Sequence, residues 1–215
     1  GMPIPPERRN RLVDEDGNGL DDRTVGRLIF SSAEAVSVAY PPDGRGGDRL
    51  FVGLRVNNQG TISGAVVEVD LAVPSAPRLV AIESTQGEGV FGLEAESDRL
   101  LAAAGTAGLQ SYDISYTPFL VHTMPTTPFG SQALAAENGV GVLGRGARNA
   151  IDQVLDGRLE LLDVAGSPRV VGSPLALDVQ RVRLWRGHAV VAAGGAGLVV
   201  VDLGNPDALA PLATV

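Results

Sequence analysis

A glycine, a short apolar stretch, an aspartate and a trailing proline recur four times along this chain, and that recurrence constrains the fold more than any other feature. The copies occupy residues 64–70 with Pro77, 108–113 with Pro118, 157–163 with Pro168, and 197–202 with Pro211. Their aspartates, Asp70, Asp113, Asp163 and Asp202, stand 43, 50 and 39 residues apart. That spacing is the period of a four-stranded propeller blade. Each aspartate has apolar neighbours on both sides, such as Val69 and Leu71 or Val201 and Leu203. On a strand those neighbours share one face, and the aspartate takes the other before closing a turn.

Three further strands are expected in every copy. A second apolar strand precedes each glycine, at 50–53, 100–105, 140–144 and 189–194. Weaker strands lie ahead of these at 35–39, 90–95, 133–136 and 179–184, and a last one follows each proline. Four short, turn-bounded strands per repeat make a blade. The fold class is therefore all-β, a β-propeller of about four four-stranded blades. A two-layer β-sandwich and a fragment of a larger propeller are the alternatives. The domain reading is an N-terminal extension over 1–26 and a propeller over 27–215, with repeats at about 33–84, 88–124, 130–174 and 177–215. The stretch 25–30 reads as an extra strand that could pair with the last blade and latch the ring.

Composition narrows the function classes. The net charge of −8 and the absence of a basic run longer than Arg8-Arg9 argue against nucleic acid as a partner. No apolar stretch is long enough for a bilayer span, so membrane insertion is not expected. The chain has no cysteine, which removes disulfides, zinc–thiolate sites and thiol catalysis.

The fourth copy carries a resemblance. Residues 197–206 read Gly-Leu-Val-Val-Val-Asp-Leu-Gly-Asn-Pro and follow His188-Ala-Val-Val-Ala-Ala-Gly194. This is similar to the LVIVD repeat of bacterial and archaeal surface propellers, and residues 105–109 resemble it as well. The resemblance covers 33–215 and implies a propeller in an extracellular or cell-surface setting. It brings no catalytic motif with it.

Candidate chemistry is sparse. In residues 14–22, Asp14, Asp16 and Asn18 place side-chain oxygens at alternate positions. A glycine follows at Gly19, then the Leu20 carbonyl and the Asp22 carboxylate. Such a loop of hard oxygen ligands implies calcium, although Val25 stands where an EF-hand has its bidentate glutamate. The competing reading is an Asp/Gly-rich linker. Residues 139–144 match a GxGxxG spacing, but the glycines fall on the repeat's second strand and not before a helix. His122 and His188 lie at strand positions without a nucleophile motif. A metal-dependent hydrolase or lyase in the propeller channel is the alternative function. It would draw on Glu34, Glu94, Glu137 and Asp178. Trp185, among arginines, reads as an exposed contact residue or, more simply, as a blade-packing aromatic.

Two insertions point to a binding face. The tight connections of the second and fourth copies expand in the first to Arg55, Asn57, Asn58 and Gln59. In the third copy they expand to Arg145, Arg148, Asn149 and Asp152. Equivalent loops of a propeller emerge on one face, and loops on a rigid scaffold commonly bind. The expected function is thus a non-catalytic interaction module for a protein or glycan partner. A structural subunit of an assembly is a further alternative, and an oligomer is compatible with the sequence.

Overall fold

The computed structural model describes residues 30, 32–41, 48–85, 87–96, 98–125, 130–148 and 154–215. They form four separate four-stranded antiparallel sheets, each with its strands in sequence order. The first blade contains β1 (Ala33–Ala39), β2 (Arg49–Asn58), β3 (Thr61–Asp70) and β4 (Arg78–Thr85). The second contains β5 (Gly92–Glu96), β6 (Arg99–Ala103), β7 (Leu109–Asp113) and β8 (Phe119–Met124). The third comprises β9 (Gly130–Glu137), β10 (Val140–Arg148), β11 (Val154–Asp163) and β12 (Arg169–Ala176). The fourth comprises β13 (Arg181–Trp185), β14 (His188–Ala192), β15 (Leu198–Asp202) and β16 (Ala210–Thr214).

Turn chemistry explains where the strands end. All four repeat aspartates accept a hydrogen bond from the backbone two residues on. Asp70 Oδ1 takes it from Ala72, Asp113 Oδ1 from Ser115, Asp163 Oδ1 from Ala165 and Asp202 Oδ1 from Gly204, at 2.8–3.2 Å. These are Asx turns that stop the third strand and aim the chain toward the outer one. Hairpin turns at Gln59-Gly60, Asn138-Gly139 and Arg186-Gly187 have positive φ at both central residues. That is the twist-matched geometry for a two-residue connection.

The blades follow one another around a common axis. β1 adjoins β5, β5 adjoins β9 and β9 adjoins β13, so the first strand of every blade is innermost. Blade faces pack together through three apolar clusters. Phe51, Val66, Leu100 and Tyr112 join the first blade to the second. Leu101, Leu109, Leu143 and Leu162 join the second to the third. Val142, Leu159, Val191 and Val201 join the third to the fourth. A fourth cluster, around Val52, Val67 and Val69, belongs to the first blade alone and is packed by its own strands and Phe30. Among the described residues no cluster joins the fourth blade to the first. Of the 25–30 stretch only Phe30 is described. It lies against the first blade, whereas the last blade's ladder is completed by its own β16.

Arginines tie consecutive blades at their edge. Arg49, the first residue of β2, donates to the backbone oxygens of Ile114, at 2.7 Å, and Tyr116 in the second blade. Arg99, at the same position in β6, donates to the oxygens of Val164, Ala165 and Gly166 in the third. Both guanidiniums therefore clasp the turn that the next blade's aspartate has closed.

Candidate binding face

The first insertion is not a loop. It is absorbed by the middle strands, so β2 and β3 have ten residues each where β6 and β7 have five. In the third blade β10 has nine residues and β11 ten. The first and third blades thus raise long hairpins from the face where every second-to-third strand connection emerges, while the second and fourth make compact turns there.

On the first hairpin Arg55, Asn57 and Asn58 lie in the end of β2, and Gln59 occupies the turn. Asn57, Asn58 and Gln59 are exposed and Arg55 is half-buried. Asn57 Oδ1 accepts from the Gly60 N–H at 3.2 Å, and the Asn57 N–H donates to Ser32 O at 2.9 Å. The hairpin is therefore anchored near its tip, beside a cleft of about 600 Å³ lined by Ser32, Glu34, Arg55, Asn57 and Ile62.

The third-blade residues divide differently. Arg145 is part of β10 and not of a loop, and it is buried, with Nε 2.5 Å from Glu160 Oε2 on the facing strand. It is held against its own blade's β11 and not presented at the surface. Arg148 forms the end of β10, and Asn149 and Asp152 lie outside the described residues. The calcium-type loop, with Asp14, Asp16, Asn18, Leu20 and Asp22, lies outside them as well.

An axial cleft of about 370 Å³ is bounded by the innermost strands, including Ser37, Leu93, Leu134, Val182 and Arg183. Across it Arg183 donates to Glu94 Oε1 at 2.8 Å. Burial pushes the Glu94 carboxyl above its ordinary value, against the lowering influence of that arginine. The four carboxylates considered for channel chemistry are not brought together. Glu34 lines the hairpin cleft, Glu94 pairs with Arg183, and Asp178 accepts from Gln180 at 2.9 Å. Glu137 ends β9, exposed. Among the described residues no three of His, Cys, Asp and Glu gather as a metal set.

Other singled-out residues fall as follows. The glycines of 139–144 sit on a hairpin turn and on β10, a strand and not the start of a helix. His122 lies in β8, and His188 has Nδ1 2.9 Å from Arg186 O. Trp185 is not a blade-packing aromatic. It is 56% exposed, with the Arg186 guanidinium 5.2 Å from its ring centre.

No sequence family matches the chain, and no curated protein is similar to it in sequence. Solved structures are similar in fold. Two crystal structures of Sqt1 from Chaetomium thermophilum superpose with TM-scores of 0.62 and 0.64 at 12% identity. They cover 80% and 84% of this chain but only 44% and 47% of their own. A computationally designed protein, Ika8, superposes with a TM-score of 0.55 at 15% identity, over 80% of this chain and 46% of its own. The likeness is one of fold alone. The chain spans less than half the length of the structures it matches.

Proposed function

We propose that this protein is a non-catalytic interaction module that presents the face bearing its two long hairpins to a protein or glycan partner. The observation that carries this reading is the selective lengthening of the β2–β3 and β10–β11 hairpins on a scaffold whose other two connections are minimal. Arg55, Asn57, Asn58 and Gln59 supply donors and acceptors on a rigid ribbon, so little entropy is lost when they bind. The resemblance to LVIVD-repeat surface propellers supports an extracellular or cell-surface setting for such contacts.

The test is a combined substitution, Asn57→Ala with Asn58→Ala and Gln59→Ala, probed on a glycan array and by photo-crosslinking to surface proteins. Binding should fall at least about tenfold, the loss of one or two good contacts at about 1.4 kcal/mol per decade, while the melting temperature stays unchanged. Unaltered binding would remove the hairpin from the site. The calcium reading of residues 14–22 is part of the same proposal, and a thermal melt with calcium and with excess chelator decides it. A calcium-dependent rise supports the site, because binding to the folded state alone adds to stability.

A further inference from the structure

The first hairpin stands taller than the blade that follows it. β2 and β3 have ten residues each, β6 and β7 five, and the second blade turns back at once through Gly105 and Gly108. Register shows what the extra length presents toward that blade. Directly opposed residues of an antiparallel pair share a face, as do residues two apart on one strand. Gly53 packs against Val90 of the connector that enters the second blade, and the stem of Arg55 packs against Gly89 of the same connector. Asn57 continues that face along β2. Glu34 stands opposite Arg55, and Ile62 stands opposite Asn57. Ser32, with φ of 60°, accepts the Asn57 N–H and so extends the same register by one residue. Five side chains from three consecutive strand segments thus share one face. The five-residue strands of the second blade are too short to cover them, and the cleft of about 600 Å³ opens there.

Two charges in this cleft are unspent. Glu34 and Arg55 are opposite in sign and opposed in register, yet they form no ion pair with each other or with any other group among the described residues. The other arginine of β2, Arg49, is paired with Glu68. An exposed pair gains little in water, so both groups stay open to whatever enters the cleft. One charge of each sign selects a ligand by exclusion. A neutral molecule would displace water from both without an opposite charge to offset it. An anion would leave Glu34 in that position, and a cation would leave Arg55.

We propose that this cleft binds a zwitterion of the amino-acid or short-peptide class, with its carboxylate on the Arg55 guanidinium and its ammonium on Glu34. A guanidinium takes a carboxylate through two parallel hydrogen bonds, which fixes orientation as well as charge. Asn57 Oδ1 is occupied by the Gly60 N–H, which leaves the amide N–H groups to donate to a ligand carbonyl. Ile62, 41% exposed, offers an apolar side chain a surface. The proposal rests on the reading of this face as a binding surface and adds a small-ligand site to it.

The experiment is isothermal titration of the full chain. The probes are leucine and leucylglycine, each beside its N-acetylated and its C-amidated form. At least one zwitterion should give saturable heat below about 10 mM, with both of its blocked forms at least about tenfold weaker, the loss of one charged contact. Which of the two binds tells a free amino acid from a peptide. Arg55→Gln should weaken the zwitterion by at least about tenfold but leave the C-amidated form, which has no carboxylate, no weaker. Glu34→Gln should do the same relative to the N-acetylated form, and both variants should keep the parent melting temperature. Asn58→Ala with Gln59→Ala lies outside the cleft lining, so it should leave these titrations unchanged and tests the protein or glycan contact by itself. Absence of heat from both zwitterions overturns the small-ligand site even where that double variant still lowers partner binding. Equal binding of free and blocked forms overturns it too, as does binding that survives Arg55→Gln.

Discussion

Gly53 and Gly144 occupy the same place in the second strands of two blades, and each meets a valine from the connector that enters the next blade. A Cβ at Gly53 would lie 2.7 Å from Val90 Cγ1 and 2.8 Å from Val90 O, and one at Gly144 would lie 2.5 Å from Val179 Cγ1. Both valines are fully buried. Substituting Gly144→Val overpacks this contact and should cost about 1–3 kcal/mol, read from the midpoint of urea unfolding. Nearby residues set the acid response. The Ser115 backbone N–H beside Asp113 and the Arg169 side chain beside Asp163 hold both carboxyls below their ordinary value of 3.8. A lowered folded value means that the stability they add is complete above that ordinary value and is lost as pH falls through the folded one. The melting temperature should therefore drop as the pH is taken below about 4, and Asp163→Asn should make that drop shallower.

Elements are held together by contacts that depend on register. Arg99→Ala removes three carbonyl contacts across a blade boundary and should cost about 1–2 kcal/mol. The same substitution at Arg55, outside any such clasp, should have little effect, and urea titrations of the two variants separate the cases. Arg145→Ala leaves Glu160 buried without its partner, so a loss of about 3–5 kcal/mol is expected. An Arg145→Met, Glu160→Leu pair should recover most of it. These differences mark what could be read from the residues. The aspartates announced their turns, because an Asx turn needs only a local backbone N–H. The two insertions were visible as extra length, but a polar run such as Arg55–Asn58 carries little strand signal, so its lengthening of β2 was not. Arg145 looked like a loop arginine, because its partner lies 15 residues away across a hairpin and is fixed only by pairing. Of its two readings Trp185 takes the exposed one, because its own stretch of sequence does not show which positions a neighbouring sheet covers.

At the scale of the molecule, the repeat period was enough to identify blades, since it measures the length of chain that builds one sheet. It says nothing of the angle between sheets, which is why the relation of the fourth blade to the first had to come from burial. Among the described residues every sheet is made from consecutive strands, and no blade lends a strand to its neighbour. On a ribosome each blade can therefore complete its hydrogen-bond ladder as soon as its own residues emerge, ahead of the rest. Across generations, a duplication or deletion that falls in the connectors adds or removes a whole blade and leaves every remaining ladder intact.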